Sequence, residues 1–369
     1  MWPLGQGGWL NSPYGLFEAP SFTMHKGLET TFQYLTRTDN PAAVELLEAA
    51  LDCPYGPVRE LALTALLARP NRAIHRRLFG RLAEFDSACK AIFAKRPDRL
   101  TTVVGEIFAQ VRPKSTKHHG RTTGQKKQRE ACGEESPANR PPVDGKLQKD
   151  FVRACEAVRE FRLYDALPSL VEAAQNAHPS LTALAAGTVL EIMKAFYAEL
   201  SAAKKCSKDL KTLRTRLTEV LQSAACAYKR HGRKELLEAF LMVAKPQDVV
   251  LRRILHDRKE SAHEPLVRML TESDEGGVIR LLLAFLEDPQ TPQAALEVIG
   301  RRTDVRFVQI WAEHAGYPPP EVWKETLGRI RYLAWAEAGH PLWAQLDGPS
   351  QAGCIGLLLG CKIERSRVF

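Results

Sequence analysis

Apolar residues recur three and four positions apart through most of this chain, the spacing that lines one face of a helix, and short turns break the pattern. After Asn40 and Pro41, a capping residue followed by one suited to a first helical turn, the apolar positions Val44, Leu47 and Leu51 predict a helix, with Leu46 and Ala50 widening its stripe. The run CPYGP stops it. A second helix is predicted from Pro57 through Val58, Leu61, Ala62, Ala65 and Leu66, ending at Arg69, Pro70 and Asn71. Further along, Leu167, Leu170, Val171 and Ala174 predict a short helix, and His178-Pro179 opens a longer one through Leu181, Val189, Ile192, Phe196 and Leu200. Ser207 can cap the next, which Gly232 closes as a left-handed C-terminal residue. Shorter pairs follow: Leu236 to Leu241 with Val249 to Leu255, Leu266 to Leu270 with Val278 to Leu286 after a Gly276-Gly277 turn, then Leu296 with Ile299, and Val305 with Val308 and Ile310.

Strand-like alternation is missing from the pattern, so the expected class is all-α. A single short helix pair cannot bury its apolar face alone, which predicts an α-solenoid, a superhelix of stacked antiparallel pairs. With 369 residues and 44% hydrophobic content, the chain has ample material for a core. Residues 113–147 break the pattern: rich in Lys, Pro, Gly, Ser and Thr and almost without large apolar side chains, they read as a disordered basic linker. The expected division is an irregular segment 1–20, a helical block 21–112, the linker, and a second helical block 148–369. Net charge is +9, and between Arg112 and Asp150 ten Lys and Arg face five Asp and Glu, so about +5 of it lies in that stretch.

At the level of turns and core positions the sequence resembles the HEAT-repeat family. The best copy is LLEAALDCPYGPVRELALTALLA, with Asp52 in the turn and Arg59 in the second helix; LVRMLTESDEGGVIRLLLAFL supplies Asp274 and Arg280, and a shorter copy keeps Asp304 and Arg306. The resemblance implies that the turn Asp and the helix Arg pair between neighbouring repeats, a structural role for Asp52 with Arg59 and for Asp274 with Arg280. It implies a fold and not a chemistry, because the motif consists of core and turn residues.

The chain holds no H-E-x-x-H, G-x-S-x-G or phosphate-loop pattern, so no catalytic residue and no cofactor is assigned. Gly5, Gly7 and Gly8 are only a fragment of a Gly-rich loop. Eight scattered cysteines lack any C-x-x-C pair or ligand set, which argues against structural zinc; Cys226, among alanines, reads as a small core residue. His256, Asp257, His263 and Glu264 are dense in potential ligands but read as a solvated turn, and no metal is assigned. No long uninterrupted apolar run is present, the longest candidate being Cys354 to Cys361, and the N-terminus lacks a signal pattern, so the expectation is a cytoplasmic protein that does not span a membrane.

Two surfaces are candidates for binding. Lys204, Lys205, Lys208, Lys211, Arg214 and Arg216 crowd the start of one helix, against its dipole, and form the best anion or nucleic-acid candidate in a folded region. Trp311, Trp323, Trp335 and Trp343 crowd the C-terminal third. Trp323, Leu327, Ile330 and Ala334 at helical spacing favour core packing, and an aromatic partner-binding patch is the functional alternative. The leading functional expectation is a non-enzymatic scaffold binding a protein or peptide partner. The alternative is a nucleic-acid-binding protein related to HEAT-like DNA glycosylases, for which Asp304 near Trp311 is the only hint of an acid beside an aromatic; HEAT-like bilin lyases stand third.

Overall fold

A computed structural model describes residues 22–111, 144–203, 207–315, 321–330, 332–337 and 339–360. The segment 1–20, most of the linker 113–147, and Lys204 and Lys205 lie outside the described residues. Within them the chain is all-helical and holds no strand.

The helices fall into two compact units that divide between Val103 and Val104. The first unit contains α1 (Phe22–Arg37), α2 (Ala42–Ala50), α3 (Gly56–Ala68), α4 (Arg72–Gly80), α5 (Ser87–Ala94) and the start of α6 (Pro97–Gln110). Helix α3 is its centre, packing on α1, α2, α4 and α5 through Ala62, Leu63, Leu66 and Leu67. Asn71 and Asp86 cap α4 and α5 by accepting the backbone N–H groups of Ala73 at 3.0 Å and Cys89 at 2.9 Å, a contribution of about 1 kcal/mol per cap. The division falls inside α6 because Phe108, near its end, packs edge-on against Phe151 of the next helix with ring centroids 5.2 Å apart.

The second unit continues with α7 (Gly145–Glu160), α8 (Leu167–Asn176), α9 (Pro179–Ala202), α10 (Lys208–Cys226), α11 (Tyr228–His231), α12 (Lys234–Val243) and α13 (Val249–His256). It ends with α14 (His263–Glu272), α15 (Gly276–Leu286), α16 (Gln293–Arg301), α17 (Val305–Ala315), α18 (Glu321–Gly328) and α19 (Gly348–Gly360). Contacts run from α7 to α9, α12, α15, α17 and α19 in one row, and from α8 to α10, α13 and α16 in another. The rows meet where α8 packs on α9, α10 on α12 and α15 on α16. Helix α12 lies between α9 and α15 and is apolar almost all round, burying Leu236, Leu237, Phe240, Leu241, Met242 and Val243. Each such side chain contributes about 1.5–3 kcal/mol of burial.

Several boundaries differ from the sequence pattern. Ser207 caps α10 by accepting the Leu210 N–H at 3.2 Å, but that helix stops at Cys226, and Gly232, at φ 63°, closes the separate turn α11. Gly276 and Gly277 open α15 rather than forming the turn before it. Helix α18 ends at Gly328, so Ile330 and Ala334 do not share a helix face with Trp323. Leu46 and Val249 are exposed, because α2 turns only Ala43 and Leu47 fully inward and Val249 is the first residue of α13. Cys226 is exposed too, at the C-terminus of α10, whereas Cys89, Cys155 and Cys354 are buried. Among the described helices only α9 has the length and hydropathy to cross a bilayer; half of that window is buried, against α7, α8 and α12.

Helix ends are tied together by arginines. The last carbonyls of a helix have no partner within it. Arg69, just after α3, donates to the Leu35 and Thr38 carbonyls that end α1. Arg214 of α10 donates to Val243 and Ala244 at the end of α12, at 2.9 and 3.2 Å. Arg302, just after α16, is 2% exposed and donates to Leu270 and Ser273 at the end of α14, each at 2.8 Å, and to Asp304 at 2.7 Å. Its guanidinium also sits 5.1 Å from the centre of the Phe307 ring. A buried cation is stable only when paired and hydrogen-bonded, and here each guanidinium nitrogen has a partner. Arg302→Ala is therefore expected to cost about 3–5 kcal/mol in urea unfolding, with Arg302→Lys recovering only part because an ammonium lacks the planar fork. Arg216→Ala, which removes the exposed pair with Asp165, should cost under about 1 kcal/mol in the same assay.

Candidate functional site

Within the second unit a cleft of about 440 Å³ is built from three neighbours of one row and the turn between the rows. The last turns of α9 supply Tyr197, Leu200 and Ser201. Helix α12 and the turn after it supply Met242, Lys245 and Gln247, and α15 supplies Arg280, Leu281, Ala284 and Glu287. The close approach at one end depends on Gly277: a Cβ there would stand 3.1 Å from the Tyr197 ring and 3.3 Å from the Met242 Cα. With no side chain in the way, the Tyr197 hydroxyl donates to the Gly276 carbonyl at 3.2 Å and joins α9 to the start of α15.

The cleft is apolar at its floor, through Met242, Leu281 and Ala284, and mainly cationic above it. Arg280 and Lys245 are exposed, and neither side chain forms an ion pair among the described residues. Asp248, the nearest acid in sequence to Lys245, accepts its backbone N–H at 2.7 Å. Glu287 is the one acidic side chain in the lining. Arg214 reaches the cleft from α10 while its guanidinium bonds the end of α12. Lys211 lies three residues before it, on the same helical face, and Lys208 three before that; both are exposed.

The expected cationic cluster is thus divided by the fold. Arg214 is used on carbonyls and Arg216 pairs with Asp165 at 3.0 Å, while Lys208 and Lys211 remain free at the surface among the described residues. The tryptophans are brought together in the core and not as a surface patch. Trp311 and Trp335 stand edge to face at 5.3 Å, Trp343 follows at 5.9 Å, and Trp311, Trp323 and Trp335 are buried. This corrects the aromatic-patch reading for those three, since a fully buried ring offers nothing to a partner; Trp343 is half-buried.

Several turn acids and helix arginines form ion pairs, but not the pairs that the repeat copies implied. Arg59 donates to Asp86 at 2.5 Å and to the Cys53 and Pro54 carbonyls at 3.1 Å, while Asp52 pairs with Arg81. The corresponding contact in the second unit joins Arg252 to Asp288, and Arg252 also donates to the Pro246 carbonyl at 2.8 Å. Asp274 and Arg280 are both exposed and not paired with each other. Asp304 pairs with Arg302 and not with Arg306, and it also caps α17 through the Phe307 N–H at 2.8 Å. The acid and the aromatic of the glycosylase expectation are therefore both engaged in packing, Asp304 with Arg302 and Trp311 with Phe307 and Trp335.

His256 and Asp257 are exposed at the end of α13. His263 bonds the Ile254 carbonyl through Nδ1 at 2.7 Å, and Glu264 pairs with Arg268 at 3.1 Å, so these four serve a helix-to-helix turn. Burial pushes the Cys155 and Cys354 thiols up to about 12, which keeps them protonated and unreactive. Comparison of the chain with protein-family models, with curated proteins and with solved structures gave no match.

Two histidines, buried His75 and half-buried His231, carry a pH dependence. Burial lowers the His75 pKa, with Arg99 adding to the shift, and burial likewise lowers that of His231, whose Nε2 lies 2.9 Å from the Ala224 carbonyl. In both, the unfolded chain takes up a proton more readily than the folded one. Stability is then fully present above the unfolded value near 6.5 and is lost as pH falls below it. The thermal midpoint should drop between pH 7.5 and 5.5, about neutral to mildly acidic. His75→Gln, which cannot titrate, should flatten that slope whatever its own effect on stability.

Proposed function

We propose that this chain is a HEAT-like interaction scaffold, a stacked array of helix pairs that holds a protein or peptide partner on its surface in the cytoplasm. The observation that carries the reading is the row α9, α12, α15: three successive members line one continuous cleft, the way a repeat array turns short helices into an extended binding surface. The residues that line it are suited to contact and not to bond-making: an apolar floor, a tyrosine tied to the next helix, and two cations, Arg280 and Lys245, without ion-pair partners among the described residues. Arg59 with Asp86 and Arg252 with Asp288 support the HEAT-like assignment, because they repeat one arrangement in two places, an arginine that bonds the turn before its own helix and the acid of a later turn.

Nucleic acid is the second reading, favoured by exposed Lys208 and Lys211 and, in the sequence, by the basic residues 113–147, which lie largely outside the described ones. Affinity capture of the tagged chain from its own cell extract, split into nuclease-treated and untreated halves, separates the two. The scaffold reading expects a defined set of proteins that survives nuclease. Direct recovery of nucleic acid, with the proteins lost on digestion, would replace it with the second reading.

A further inference from the structure

We infer that the cleft between α9, α12 and α15 is the docking site of an acidic peptide segment carrying one apolar anchor side chain. The inference rests on the scaffold reading above and names the chemistry of its partner. Its first support is charge. Arg280 and Lys245 stand at the cleft as exposed cations without ion-pair partners among the described residues, Lys211 follows on the same face as Arg214, and Glu287 is the single acid in the lining. Of the acids near them in the chain, Asp248 already accepts the Lys245 backbone N–H, and Glu275 and Asp288 pair with Lys194 and Arg252, while Asp274 is exposed and forms no pair with Arg280.

A helix C-terminus carries negative partial charge and by itself attracts cations, so lysines and arginines near one commonly serve the helix. Here Arg214 already bonds the last carbonyls of α12. Arg280 is in the middle of α15, away from either end. The charge of Arg280 is therefore not absorbed by the fold, and Lys245 adds to it beside an end already closed.

The second support is the floor. Met242, Leu281 and Ala284 offer apolar surface beneath those cations, and about 440 Å³ accommodates one large side chain with adjoining backbone. A nucleic-acid backbone would use the cations and leave that floor uncovered, whereas a Leu or Phe flanked by Asp or Glu uses both. The Tyr197 ring, held in place by its bond to Gly276, is a rigid wall for such an anchor.

The test titrates the full chain, at physiological ionic strength, against fluorescent synthetic peptides in which Leu or Phe is flanked by Glu and Asp. The same peptides with Gln or Lys in place of the acids, and a labelled single-stranded oligonucleotide, serve as comparisons. The acidic set should bind about tenfold tighter than the Gln set. The double variant Arg280→Glu with Lys245→Glu should lose about that factor, as should Ala284→Phe, which fills the floor without removing a charge; Lys229→Glu on α11 should bind as the parent does. Thermal unfolding of each variant shows that it is folded. Equal binding of acidic, Gln and Lys peptides, indifference to the double reversal, or tighter binding of the oligonucleotide than of any peptide would overturn the assignment. A nuclease-resistant captured protein that binds the double variant as well as the parent also overturns it, while leaving the scaffold reading standing; capture of nucleic acid alone removes the scaffold reading itself.

Discussion

The ends of many short helices, and not their middles, set the hardest physical condition on this fold. Each helix finishes with carbonyls that its own residues cannot bond, and an array with brief turns brings many such ends into or near the core. Arginines meet that condition because a guanidinium is planar, always charged, and carries donors enough to bond two carbonyls and an acid together. Arg302 does this with Leu270, Ser273 and Asp304 at almost complete burial, Arg69 and Arg214 close other ends, and Arg329 bonds the Pro289 and Thr291 carbonyls in the turn between α15 and α16. Each of these carbonyl bonds ties the arginine to a part of the chain at least 29 residues away, so satisfying a local shortage of donors also helps set which helices are neighbours.

The cleft depends on the same arrangement. Because Arg214 bonds the end of α12 from α10, it covers negative partial charge that Lys245 would otherwise have to meet, and the free cations remain available at the surface. On the opposite side the missing side chain of Gly277 lets Tyr197 bond the start of α15. A site of this kind needs no strained backbone and no buried unpaired charge. It arises where packing in one row leaves a gap and two cations at its rim, Arg280 and Lys245, have no ion-pair partner among the described residues.

Much of the helical grammar was legible in the residues. Asn40 and Ser207 act as the caps their side chains suggest, His178 and Pro179 open α9, and the apolar spacing from Leu236 to Leu241 marks the buried face of α12. These features are local, governed by backbone donors a few residues away and by the period of the helix. The candidate site was less legible. The repeat copies implied a pair of Arg280 with Asp274, and the pair does not form, because which acid an arginine meets depends on which later turn tertiary packing brings close, as Arg252 meets Asp288 across 36 residues. Composition likewise shows tryptophans clustered in the chain, but whether a ring lies in the core or at the surface is decided by what packs over it.

By itself, then, the sequence determined the all-helical character of the described residues and where several of their helices begin, because capping and periodicity act over one or two turns of backbone. Only the tertiary structure decided which cations are consumed and which are free. Arg214, Arg216, Lys208 and Lys211 look alike along one helix and are separated only by their neighbours: carbonyls at the end of α12 for the first, Asp165 for the second, and open surface for the two lysines. Charge takes its role from distance in space, and spacing along the chain does not encode that distance.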